Sequence, residues 1–355
     1  MPASLRINTL TGNYTVKIQR GLTGRLGLET LRICAEKYNE IALITDENIS
    51  SLYLQRVITN FQECPRPEGM KLRICELLVK PDQPITKIFD DMAGLGLSDK
   101  CCVIALGGMS VCSSAAFASG CYMHGVKIIF VPTTLRAMIE TSVGGRADLN
   151  LTSGYHIAGI THQPALVLCD PDCLATLPEK EYKSGIAESL SIAIMTGSEI
   201  LRFFLNQSDL RVNIDRVIDA CIKFRMECFD EGGNKRFQNT ARAIGNAIER
   251  FSGGRVSHDI AISQGAAITA KAGAKLKIFS ENISARIINA LKLNNLPVNY
   301  MGDLKAEIIS REIMRASKAH DNSIKFALPI DNGNYILREM NLHELESFIY
   351  AGIKV

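Results

Sequence analysis

The chain has 355 residues, 46% of them hydrophobic and 22% charged, with a formal net charge of +3. That length fits one large or two medium domains, and the composition is that of an ordinary globular protein. There is no basic block to grip nucleic acid, and no apolar run reaches the length of a membrane span. In chain order, "EIALITD" (40–46) reads as a short strand ending in Asp46, and "SSLYLQRVITNF" after it has helical spacing. "KLRICELLV" (71–79) and "CCVIAL" (101–106) read as strands, with helices at "ITKIFDDMAGL" (85–95) and "SSAAFASGCYM" (113–123). Val126 to Val131 is another apolar run of strand length. It leads into "VPTTLRAMIETSVGGRADLN" (131–150), which shows neither helical nor alternating periodicity and reads as a long loop built to hold a ligand. From about residue 180 helical periodicity dominates to about residue 318. "SIKFALP" and "DNGNYIL" then form a hairpin pattern, and "LHELESFIYAGI" a closing helix.

Strands alternating with helices predict a mainly parallel sheet, so the fold class is α/β with a mostly α-helical C-terminal part. The domains are expected at 1–178, an α/β nucleotide-binding domain, and 179–355, a mostly helical domain. The N-terminal "MPASLRINTL" lacks the layout of a signal peptide. Eleven cysteines without a CxxC pair suit reduced, buried thiols, so a cytoplasmic protein is expected.

Several residues could carry chemistry. Gly107 and Gly108 fall between a strand and a helix, where backbone N–H groups can face a pyrophosphate; taken alone, the two glycines read first as a tight turn. Asp46, with Asn48 two residues on, stands where a ribose could be bound or a helix capped. Glu188 is the only charged residue between Gly185 and Thr196, and a carboxylate on so apolar a helix needs a cation or metal unless it faces water. Asn239, Arg242 and Asn246 share one helical face, with His258 further along the chain.

These residues together resemble a family. "PTTL…SVGG", the glycines at 154 and 159, "TLPEKEYKSGIAE" and "GNAIE" are similar to the 3-dehydroquinate synthases and related sugar-phosphate cyclases, over nearly the whole chain. "NLTSG" (150–154) also resembles the 2-deoxy-scyllo-inosose synthase branch. The resemblance implies a Rossmann-like NAD-binding domain, a helical metal-binding domain and a homodimer. It further implies a phosphate-eliminating, NAD-dependent cyclisation of a sugar-derived small molecule, in which a divalent metal such as zinc polarises the reacting oxygens.

Carried over residue by residue, the cofactor positions are Asp46, Asn48, Gly107, Gly108, Thr133, Thr134, Glu140, Arg146 and Thr176, with Ser113 and Glu140 replacing family aspartates. On the substrate side, Lys223 and Asn239 match, Lys235 stands for an arginine, and Lys318 for a late lysine. Arg146, Tyr155, His156, Ser191 and His124 replace the family's phosphate-holding residues. Glu188 and His258 keep two metal-ligand positions, whereas the third is Arg242 and the histidine four residues on is Asn246. A guanidinium does not ligate zinc. The expectation is therefore a hydrogen-bonded ion pair between Arg242 and Glu188, in the metal's place and closing its open coordination position. Two readings follow: a catalytically silent homologue that still binds nucleotide, or an active cyclase or lyase on a changed substrate. The joint loss of cations and a metal ligand favours the first.

Overall fold

The computed structural model describes residues 3–34, 39–66, 68, 71–80, 83–151, 154–196, 198–232, 234–317, 323–330 and 334–353. Two compact units emerge: residues 1–177 with 231–234, and residues 178–230 with 235–355.

The first unit opens with a hairpin, β1 (Ala3–Thr9) and β2 (Gly12–Ile18), then α1 (Leu26–Cys34) and β3 (Glu40–Thr45). Next come α2 (Glu47–Glu63), β4 (Arg73–Leu78), α3 (Ile85–Gly94), β5 (Cys101–Gly107) and α4 (Met109–Cys121). β6 (Lys127–Pro132), α5 (Leu135–Glu140), a bulged antiparallel pair β7 (Arg146–Leu151) and β8 (Gly154–Thr161), and β9 (Leu166–Cys169) complete it. The main sheet runs β1-β2-β9-β6-β5-β3-β4, antiparallel only between β1 and β2. Every residue of β5 is buried, as expected of a central parallel strand covered on both faces.

The stretch 131–150 departs from the expected loop. Thr134 caps α5, its hydroxyl accepting from Ala137 N at 3.1 Å, and Leu135, Met138 and Ile139 bury one side of that short helix. Six residues are too few to register as helical periodicity, and β7 begins immediately after the glycine pair. Gly144 and Gly145 both have positive φ (102° and 58°), which sets the turn between the two elements.

The second unit is helical: α6 (Glu179–Thr196), α7 (Ser198–Phe203), α8 (Gln207–Val212) and α9 (Ile214–Cys228). A short β10 (Gln238–Asn239) leads to α10 (Thr240–Phe251), α11 (His258–Lys275), α12 (Glu281–Leu293) and α13 (Ala306–Ser317). β11 (Ser323–Pro329) and β12 (Tyr335–Asn341) pair antiparallel as the hairpin pattern predicts, and α14 (Leu342–Ile353) closes the chain. The turn residues of that hairpin lie outside the described residues. α6 is buried continuously from Ser184 to Met195, which explains an apolar sequence without a polar face. α10 and α11 cross closely: a Cβ on Gly265 would stand 2.1 Å from Ala241 O, and one on Gly245 2.7 Å from Ile262 Cα. This crossing fixes the α10 face that carries Arg242 and Asn246 relative to His258 at the start of α11. Among the described residues, no helix is long and apolar enough to cross a membrane.

Candidate functional site

In the first unit the chain order reverses between β3 and β5: β4 lies to one side of β3, and β5 and β6 to the other. In open α/β sheets ligands bind at the carboxyl ends of the strands flanking such a point. Thr45 ends β3, followed by Asp46; Gly107 ends β5, followed by Gly108; Thr133 follows β6. Gly108 is the residue before α4 and offers no side-chain cap, so the first N–H groups of that helix have no side-chain acceptor from it. Both glycines also have packing reasons. A Cβ on Gly107 would approach Val111 Cβ to 2.7 Å, and one on Gly108 would approach Thr134 Cγ2 to 3.1 Å.

The hydroxyls of Thr45 and Thr133 are buried and have no hydrogen-bond partner among the described residues. An unsatisfied buried hydroxyl costs roughly 1–3 kcal/mol, so two of them, at the ends of the strands on either side of β5, indicate a place for polar ligand atoms or water. Asp46 accepts from Ile49 N at 3.0 Å and so caps α2, the alternative left open by the sequence; Asn48 is exposed. Thr176 is held by Tyr53, oxygen to oxygen at 2.6 Å, and donates to Cys173 O. Glu140 pairs with Arg136 at 2.6 Å, and Arg146, half exposed, pairs with Asp148 at 3.2 Å. Ser113 is half-buried on α4 and His124 is exposed, with φ of 62°. The side chains of Tyr155 and His156, and Lys318 altogether, lie outside the described residues.

In the second unit, Glu188 on α6 is fully buried, and Arg242 Nε stands 2.6 Å from its Oε1. The ion pair is there by distance, but the hydrogen bond expected of it is not made between these two atoms, because the Nε–H is not aimed along the line a hydrogen bond requires. On the other side His258 Nε2 lies 3.4 Å from Glu188 Oε2, and His258 Nδ1 lies 2.8 Å from Glu249 Oε2. The order Arg242–Glu188–His258–Glu249 thus alternates cation, carboxylate, imidazole and carboxylate. With a carboxylate facing each ring nitrogen, His258 donates in both directions only as the imidazolium.

Asn239 precedes α10 and serves the backbone: Oδ1 accepts from Arg242 N at 3.1 Å, and Nδ2 donates to Ser191 O at 2.7 Å. The Ser191 hydroxyl in turn donates to Glu188 O. These bonds fix both the α6 turn that carries Glu188 and the first turn of α10.

A pocket opens beside these groups. Lys235, Asn239, Arg242 and Asn246 line it, together with Arg225 and the ring of Phe237. Lys223 does not: it is more than half exposed and pairs with Asp219 at 2.7 Å on its own helix. Sequence reasoning missed Arg225 and Glu249. Glu249 was findable, since it lies seven residues after Arg242 and hence on the same helical face. Arg225 carried no signal of its own beside Lys223.

Residues 78–184 match the family model described as 3-dehydroquinate synthase N-terminal, and residues 185–319 the one described as 3-dehydroquinate synthase C-terminal. A 3-dehydroquinate synthase from Prochlorococcus marinus subsp. pastoris is 27% identical over 334 residues, 90% of this chain and 92% of that protein. Another from the same species is 27% identical over 359 residues, 97% of each. Among solved structures, 2-deoxy-scyllo-inosose synthase complexed with carbaglucose-6-phosphate, NAD+ and Co2+ superposes with TM-score 0.74 at 17% identity, over 98% of this chain and 99% of that one. A 2-epi-5-epi-valiolone synthase from Streptomyces hygroscopicus subsp. jinggangensis with NAD+ and Zn2+ gives TM-score 0.78 at 18% identity, over 96% and 97%. At such identities the structural likeness is one of fold.

Proposed function

We propose that this chain, which belongs to the 3-dehydroquinate synthase family, binds NAD in its first unit and no longer performs 3-dehydroquinate synthesis in its second. The observation that carries the proposal is the Arg242–Glu188 ion pair at 2.6 Å. In this reading the guanidinium supplies the positive charge that Glu188 needs, in place of a divalent metal. Glu188 and His258 have donor chemistry suited to zinc, but a guanidinium has no lone pair to give and does not deprotonate. The second unit's own residues therefore do not fit the metal, and no step is derived through one.

NAD fits better. The start of α4 receives the pyrophosphate, and the unpartnered hydroxyls of Thr45 and Thr133 take polar atoms of the dinucleotide. Both solved structures named above contain NAD+ by their descriptions. When bound, NAD supplies hydride transfer; the residues of this chain bind and orient it. Family resemblance further supports a homodimer.

The second reading, an active NAD-dependent cyclase or lyase on a changed sugar-derived substrate, is favoured by one feature. Relatives 27% identical over nine-tenths of the chain carry the name 3-dehydroquinate synthase. Calorimetric titration with NAD, alongside a phosphate-release assay with the heptulosonate phosphate of the parent reaction, tests both. The expected result is saturable NAD binding, weakened at least several-fold by Asp46→Ala, with no phosphate release above background. No heat with millimolar NAD overturns the cofactor half, and phosphate release restores the enzyme reading.

A further inference from the structure

Asn246 is a polar side chain that α10 offers to the second unit's pocket without committing it elsewhere. It stands one turn beyond Arg242 on the same helical face, is half-buried and lines the pocket. Gln238, on β10, also lines the pocket and is also half-buried. Neither carboxamide has a hydrogen-bond partner among the described residues. The third carboxamide of the lining, Asn239, is spent at both ends, on Arg242 N and on Ser191 O.

A carboxamide presents N–H donors beside a C=O acceptor. Its full complement is the same pair reversed, as in another carboxamide, a lactam or the edge of a nucleobase. A carboxylate offers acceptors only and leaves the amide oxygen unanswered. The position of Asn246 is also well fixed. α10 touches α11 at the residue before it, where a Cβ on Gly245 would stand 2.7 Å from Ile262 Cα.

The walls beside these amides are flat and largely apolar. Phe224 and Phe237 meet edge to face with centroids 6.0 Å apart, and the Tyr335 ring packs on each at 5.4 Å. Tyr335 in turn donates its hydroxyl to Glu227, which anchors the three rings. The Arg225 guanidinium lies over the Phe229 ring, 5.6 Å from the centroid. Phenyl rings and a guanidinium plane both favour a flat ligand, whatever other partner the guanidinium has. Hydroxyls placed against phenyl rings would lose water without compensation, so a polyhydroxylated sugar matches these walls poorly.

We infer that this pocket binds a flat, uncharged aromatic ring carrying a carboxamide- or lactam-type edge, and that Asn246 reads that edge. The inference rests on the reading that the second unit has given up metal-assisted sugar chemistry.

The test is calorimetric titration of the full chain with benzamide, uracil, benzoate and cyclohexanecarboxamide. Benzamide or uracil should bind saturably, and the tighter of the two separates a ring-borne carboxamide from a lactam edge. Benzoate keeps the shape of benzamide but has acceptors only, and cyclohexanecarboxamide keeps the amide without a flat ring. Each should bind at least tenfold more weakly than the better probe. Asn246→Leu should weaken the better probe at least tenfold, which places its binding in this pocket. Asn246→Asp, nearly the same shape with acceptors only, should weaken it at least fivefold. If Asn246→Leu does not fold, Asn246→Asp decides. No binding of benzamide or uracil, benzoate within tenfold of the better probe, or full affinity in Asn246→Leu or Asn246→Asp overturns the inference. Phosphate release from the heptulosonate phosphate of the parent reaction would instead overturn the reading beneath it, whichever way the Asn246 comparison falls.

Discussion

At the scale of single residues, the account turns on Arg242. Glu188 is fully buried, and a buried carboxylate is tolerated only with a positive partner. Removing one member of a buried pair strands the other, at a cost of about 3–5 kcal/mol when both are fully buried. Arg242 is about one-fifth exposed, and His258 supplies a second neighbour to the carboxylate, so roughly 2–3 kcal/mol is expected for Arg242→Ala. Denaturant unfolding monitored by circular dichroism measures it. The double variant Glu188→Gln with Arg242→Met, which leaves no buried charge unmatched, should recover most of that loss. A stability of Arg242→Ala within about 0.5 kcal/mol of the parent, the range of an ordinary surface change, would remove the pair from the account. The pair was legible in the sequence because a lone carboxylate on an apolar helix demands a cation and Arg242 stood where a metal ligand was expected. The end of the pocket that Arg225 occupies was not. Which of two cations two residues apart points inward depends on the rotation of α9, and its sequence carries Lys223 and Arg225 with equal plausibility.

At the scale of elements, the α10–α11 crossing sets the geometry of the site. Gly265 and Gly245 let the two helices touch backbone to backbone, and the added methyl of Gly265→Ala would meet Ala241 O at 2.1 Å. Backbone cannot yield as a flexible side chain can, so the helices must separate. Overpacking of this kind costs about 1–3 kcal/mol. The movement should also pull Arg242 and Asn246, on α10, away from His258, on α11. Gly265→Ala should therefore lower the unfolding midpoint and weaken ligand binding in the second unit, whereas Gly253→Ala, with nothing within 4 Å of an added Cβ, gives only the local strain of its positive φ. Equal unfolding midpoints for Gly265→Ala and the parent would show that the crossing has slack. Strands β3, β4, β5 and β6 and the late hairpin were readable from apolar runs and turn residues, because pattern and burial coincide there. α5 was missed because six residues make under two turns; the β1–β2 hairpin was missed although Leu5 and Ile7, and Tyr14, Val16 and Ile18, alternate with polar residues as half-buried strands do.

At the scale of the whole molecule, the two units present different kinds of polar site. The first unit keeps the strand-end geometry of a nucleotide-binding sheet, with a helix start and two unpartnered threonine hydroxyls at the reversal of strand order. The second keeps the family's helical framework around a changed set of polar groups: a guanidinium against Glu188, a histidine between two carboxylates, and a pocket of cations and phenyl rings. Motif spacing made the family readable in the sequence over nearly the full chain; the residues that differ from the expected pattern at the site were readable only position by position. The most direct measurement is a zinc titration of the metal-free full chain by calorimetry, run beside Arg242→His. The account predicts no stoichiometric uptake by the parent chain, and uptake of one zinc per chain by Arg242→His, which exchanges the guanidinium for an imidazole donor. One zinc bound tightly per parent chain would contradict it.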